Sequence, residues 1–300
     1  MTTRGNMWVL PLAAILLLSA ACARLQTNPS KPSSSPDPKT AIALSVLDGS
    51  IYLVDPDSGA QAEIVAGLGD FRDGYAAWSP DHSQLAYGNH GLYVLDFTTN
   101  RSRLLVSGEE MSMPAWSPSG QVLAYGNGSS LWITSLDDVR PFQIHIPATL
   151  APVGMSWSGD EIVFQGIRRD CDRSYLCPTT GSSDIWSVQT DATQLIRLTR
   201  LKLALSPKWS PDGDSILFIR RVNDSVQELW VVQADGSHPR RLAAAQDVVA
   251  ADWSPDGKQI VMARRGLEGA TLRLWVTDAN GLHARPLGGM VPGKDATVDW

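Results

Sequence analysis

No two histidines stand at the His-x-x-x-His spacing and no two cysteines at Cys-x-x-Cys, so no metal chelate is expected, and no cofactor with it. A Gly-x-Ser-x-Gly elbow is missing, and so is room for the α/β domain that such a nucleophile needs. Gly67-Leu68-Gly69 and Gly126-Asn127-Gly128 open like phosphate loops but lack a third glycine and a following helix, and read as plain loops. Positive charge is not in excess either. The formal net charge of −6 argues against a nucleic-acid partner. What remains, 43% hydrophobic and 19% charged residues, describes a globular chain with ample core.

The N-terminus reads as an export signal. Arg4 supplies its positive start and Met7 to Ala21 an apolar run too short for a comfortable membrane span. Leu18-Ser19-Ala20-Ala21-Cys22 resembles the lipobox of bacterial lipoproteins, with the leucine one position further out than usual. That resemblance implies lipidation of Cys22 and membrane attachment through this anchor only; cleavage after Ala21 would instead release a free protein. Residues 23–40, rich in proline and serine, have little to bury and form a tether after the signal of residues 1–22. Near polyproline geometry they would reach about 55 Å.

The rest, 41–300, is organised by one recurring phrase. Ala251-Asp252-Trp253-Ser254-Pro255-Asp256-Gly257 has near-copies around Trp78, Trp116, Trp157 and Trp209, and Val298-Asp299-Trp300 is the opening half of another. Successive tryptophans are separated by 38, 41, 52, 44 and 47 residues. Each interval holds an apolar strand such as Ile216-Leu217-Phe218-Ile219, an aromatic strand such as Leu229-Trp230-Val231-Val232, and a leucine-rich last strand. Four short strands per unit of about 40 residues is propeller arithmetic. The first unit, from residue 41, lacks its innermost strand, and the C-terminal phrase supplies it. The expected fold is therefore all-β: a six-bladed β-propeller, four antiparallel strands per blade, closed by the C-terminal strand pairing into the first blade.

This pattern resembles the WD40-like (PD40) repeat of TolB-type six-bladed propellers. The resemblance implies a cell-envelope role, and it departs at Ser158-Gly159-Asp160, which lacks the proline, and at Asp81-His82, which lacks the glycine. The α/β domain that precedes the propeller in TolB has no counterpart in the sequence.

The repeat accounts structurally for the tryptophans, six at the signature and four in the aromatic strands. His238 and His283 hold equivalent turn places, and His82, His90 and His145 belong to turns, a loop and an outer strand, so no catalytic residue is assigned. Cys171 and Cys177 lie in one inserted loop and are expected to form a disulfide there, which suits an oxidising compartment.

Arg168-Arg169, Arg220-Arg221 and Arg264-Arg265 each follow the second strand of three successive blades, where the two preceding blades have Gly88-Asn89 and Gly126-Asn127. These loops share a face with the blade-to-blade connections, where Asp70, Asp73, Glu109 and Glu110 lie in the other half. One reading is solvated strand ends. The other is a rim that binds an acidic partner through bidentate guanidinium contacts. The functional expectation is a non-enzymatic, exported, monomeric propeller that binds a protein or acidic envelope partner. The alternative is an envelope enzyme acting on glycans or peptides at the central channel. For that, Asp252 and Asp299 stand beside signature tryptophans without a clear proton-transfer pair.

Overall fold

The computed structural model describes residues 35–46, 48–66, 75–88, 90–108, 111–138, 140–168, 182–223, 226–242, 247–266 and 270–300, and every regular element among them is a β-strand. The first blade begins with β1 (Ile42–Val46), β2 (Ile51–Val54) and β3 (Gln61–Val65). The second is β4 (Ala76–Trp78), β5 (Gln84–Gly88), β6 (Gly91–Asp96) and β7 (Arg101–Ser107). The third is β8 (Met111–Trp116), β9 (Val122–Asn127), β10 (Ser130–Ser135) and β11 (Phe142–Ile144). The fourth is β12 (Leu150–Ser158), β13 (Glu161–Arg168), β14 (Ser183–Gln189) and β15 (Ile196–Arg197). The fifth is β16 (Ala204–Trp209), β17 (Ser215–Arg221), β18 (Gln227–Gln233) and β19 (Arg240–Arg241). The sixth is β20 (Val248–Trp253), β21 (Gln259–Arg265), β22 (Thr271–Asp278) and β23 (Arg285–Pro292). The last strand, β24 (Ala296–Asp299), returns to the first blade and pairs antiparallel with β1, Ala43 opposite Asp299 and Val46 opposite Ala296. Six four-stranded sheets result, as the repeat predicts. Their innermost strands β4, β8, β12, β16, β20 and β24 touch one another in turn around the axis.

Apolar packing is confined to the spaces between blades. Six clusters of buried side chains correspond to six interfaces, and each contains one signature tryptophan from the later blade: Trp78, Trp116, Trp157, Trp209, Trp253 and Trp300. Each also takes one residue of the aromatic strand, Tyr52, Tyr93, Trp132, Trp186, Trp230 or Trp275. A sheet apolar on both faces must be covered on both, and a ring supplies two neighbours to every blade. The indole N–H of Trp116 donates to the Ala77 carbonyl of the preceding blade at 2.9 Å.

The Ser-Pro turns that join first and second strands repeat one hydrogen-bond scheme. The serine hydroxyl accepts the backbone N–H five residues on, in Ser79, Ser117, Ser210 and Ser254, at 2.9 to 3.2 Å. It also donates to the aspartate two residues on, as in Ser210 to Asp212 at 2.6 Å. Gly120, Gly213 and Gly257 follow with left-handed φ of 69°, 76° and 68°. Where glycine is missing, His82 takes the same conformation with φ 54° and stacks on Trp78, ring centroids 5.0 Å apart.

Candidate functional site

The position immediately before each signature tryptophan lies in the innermost strand of its blade, one step round the ring from the next. Reading round it gives Ala77, Ala115, Ser156, Lys208, Asp252 and Asp299. Strand alternation sends each tryptophan towards the preceding blade and the residue before it to the opposite side. In the fifth blade an irregularity between Leu205 and Lys208, with Ser206 at φ 49°, sets the register that places Lys208 opposite Leu217.

The charged half of this column converges. Lys208 Nζ donates to Asp252 Oδ2 at 2.8 Å and also to Asp299 Oδ1. Asp299 Oδ2 accepts the Trp78 N–H of the second blade at 2.6 Å, and Asp252 Oδ1 accepts the Trp253 N–H at 2.8 Å. The two carboxyl groups are thus bridged by a single ammonium. Side-chain exposure is only 19% for Lys208, 11% for Asp252 and 15% for Asp299. Burial pushes the Asp252 carboxyl up to about 7 against the pull of Lys208, with the neighbouring Asp299 adding to the rise. Asp299 is held below the usual carboxylate range: its burial opposes this, but Lys208 and the hydrogen bonds it receives prevail. Lys208 is raised, because its two carboxylate partners outweigh the cost of burying the ammonium. Asp252 and Asp299, which the sequence offers beside signature tryptophans without a clear proton-transfer pair, are joined in the fold through Lys208. The signal was present in the column of residues before the tryptophans, where three small side chains are followed by three charged ones.

Above this cluster, on the side of the Ser-Pro turns, lies a cavity of about 340 Å³. Lys208, Asp299 and Ser156 form its polar part, and the edges of Trp78, Trp116, Trp157 and Trp209 with Pro80, Pro118 and Pro211 its apolar wall. Ser156 Oγ is engaged, accepting the Trp209 N–H at 3.1 Å.

The arginines sit at the opposite end. Arg168 ends β13, Arg220 and Arg221 end β17, and Arg264 and Arg265 end β21. The backbone N–H of Arg221 donates to Leu203 O and that of Arg265 to Asp247 O, both in blade-to-blade connections. Arg220 and Arg264 hold equivalent poses, their guanidinium carbons 4.9 Å and 5.0 Å from the ring centres of Trp230 and Trp275. Arg265 Nε donates to Lys294 O at 3.1 Å. Acids enter this arc too. Glu228 accepts from Arg241 at 2.7 Å and from the Trp230 indole at 3.0 Å. Asp295, raised by burial, lies within the field of Arg265 and Arg221. Arg169, the cysteines Cys22, Cys171 and Cys177, and Asp70, Asp73, Glu109 and Glu110 lie outside the described residues.

No family model matches the chain, and no curated protein matches it in sequence. Solved structures do resemble it in fold. TolB from Acinetobacter baumannii is 16% identical with a TM-score of 0.68, the match covering 89% of this chain and 68% of that one. A protein of Agrobacterium tumefaciens assigned as TolB is 20% identical with a TM-score of 0.60, covering 84% and 89%. An oligogalacturonate lyase in complex with manganese is 18% identical with a TM-score of 0.56, covering 87% and 76%. At these identities the likeness is one of fold: a TolB-like six-bladed propeller.

Proposed function

We propose that this chain is a non-enzymatic, exported propeller that acts as a monomer in the cell envelope and binds an acidic protein or other envelope partner through the rim formed by Arg168, Arg169, Arg220, Arg221, Arg264 and Arg265. The observation that carries this reading is the repeated pose of Arg220 and Arg264 over Trp230 and Trp275. A guanidinium held against an indole face has already lost much of its rotamer freedom, so less is lost when it meets a carboxylate in bidentate geometry. Two such groups in successive blades, on the face that also carries the blade connections, form a patterned and oriented surface. Residues 1–22 act as the signal, with Cys22 as the lipid-bearing residue, and 23–40 tether the propeller away from the membrane. Cys171 and Cys177 close the inserted loop beside Arg168.

The test is a photo-crosslinking side chain placed at Arg168, followed by titration of the purified crosslinked partner against the wild type and an R220S/R264S variant. Binding should weaken about tenfold or more per oriented guanidinium lost, tenfold being the lower end of a charge-assisted hydrogen bond, and should fall steeply with salt. Equal affinity for wild type and variant would remove the rim from the account.

The enzymatic alternative, glycan or peptide chemistry at the channel, is favoured by the convergence of Asp252 and Asp299 and by the cavity above them. Against it stands the ammonium held between them. A retaining glycosidase needs its carboxyls about 5 Å apart with the substrate between them, and these two are occupied by Lys208 and by backbone N–H groups.

A further inference from the structure

The channel cluster belongs to four consecutive blades. Lys208 comes from β16 of the fifth, Asp252 from β20 of the sixth, Asp299 from β24 of the first, and the N–H that Asp299 accepts is that of Trp78 in β4 of the second. Asp299 lies in the one strand that closes the ring without a covalent connection to its own blade. One ammonium serves both carboxyls, so a single proton held on one of them balances the charge of the cluster. With that proton the cluster is neutral, one ammonium against one carboxylate. Without it, a surplus negative charge is left on largely buried carboxyls, where its cost is large.

We propose that Lys208, Asp252 and Asp299 form a proton-dependent clasp on ring closure, which holds β24 in place while one carboxyl is protonated and loosens it when that proton is lost. Charged groups face Asp252 from β16, which supplies Lys208, and from β24, which supplies Asp299; its partner strand β21 puts the uncharged Val261 opposite. The direction of the response follows from linkage. The folded-state carboxyl of Asp252 is raised to about 7, so between its ordinary range near 4 and that value the opened state releases a proton that the closed state keeps. Closure is strongest in mild acid, weakens as pH rises towards 7 and levels off above. Asp299, lowered rather than raised, contributes the opposite slope only below its ordinary range.

Hydrogen exchange of the amides of β1 and β24, with those of β9 as internal reference, reads this directly. The opening constant of the closing strand should rise by up to tenfold per pH unit between about 5 and 7, one proton being released, and change little above pH 7.5. Asp252→Asn keeps the shape and the donor of the protonated acid, and its opening constant should be low and independent of pH. A wild type with no such pH response, or a variant that retains it, would overturn the proposal. Should D252N fail to fold, carbon-13 carboxyl shifts of the wild type decide: a protonated Asp252 at pH 5.5 supports the clasp, and two ionised carboxylates at that pH refute it.

Discussion

At the scale of single residues, the six positions before the signature tryptophans show how a repeat carries information that its period does not. The period dictates that these side chains leave the innermost strands on the face opposite the tryptophans, and it says nothing of which are charged. Lys208 was not singled out in the sequence because the contact that gives it meaning joins positions 208, 252 and 299, each in a different blade. Its removal has a calculable sign. Lys208→Met keeps the aliphatic length and leaves two carboxyls without a cation in a channel where they are only 11% and 15% exposed. Breaking a buried pair in this way costs about 3 to 5 kcal/mol. The loss should be full at pH 7.5, where the carboxyls can no longer remain protonated without penalty, and smaller at pH 4.5, where protonation relieves them. Urea midpoints at the two values check this, and a variant equally stable at both would contradict the ion-pair account.

At the scale of elements, the turns were legible and the close packing between the last and first blades was not. Ser-Pro-Asp-Gly announces its corner through residues whose conformations and side-chain bonds are local. Even the departures keep the geometry, since His82 adopts the left-handed φ of the glycine it replaces and Gly159 reaches φ 53° in the shortened turn. The seam between the last and first blades instead rests on a close approach that only coordinates reveal. A Cβ on Gly59, which has φ 71°, would lie 2.2 Å from the backbone nitrogen of Gly288, and one on Gly288 2.5 Å from the Gly59 carbonyl oxygen. Around this point Arg285 reaches Pro56 O and Gln61 reaches Gly289 O across the seam. Gly59→Ala should therefore cost about 3 kcal/mol, the left-handed penalty plus overpacking against backbone. Gly159→Ala, also left-handed but with nothing within 4 Å of the new carbon, should cost about 1 kcal/mol. Chemical denaturation of the two variants separates strain from crowding, and equal costs would mean that the seam yields.

For the whole molecule, the sequence held the architecture because each blade must bury both faces against neighbours, which forces one pattern to recur and makes the count of blades a count of tryptophans. Closure was readable for the same reason: a first unit with three strands and a last phrase with one can satisfy each other only in a ring. The functional faces were less readable, since five described arginines fall at the predicted end but share it with Glu228 and Asp295, whose positions depend on how connections fold back. The ring argument has a consequence that single blades do not. Removing residues 296–300 strips β1 of its partner, takes Trp300 from the interface between the sixth and first blades, and leaves Lys208 with Asp252 alone. The exposed edge of β1 is then a template for another chain. The truncated protein should self-associate and lose its single cooperative melting transition. A synthetic peptide spanning residues 294–300 should restore both monomer and transition in proportion to its concentration, because a ligand that binds only the folded ring stabilises it by mass action. Light scattering during thermal melts measures the two effects together. A truncated chain that stays monomeric and melts like the intact one would show that the five remaining blades hold the ring without its closing strand.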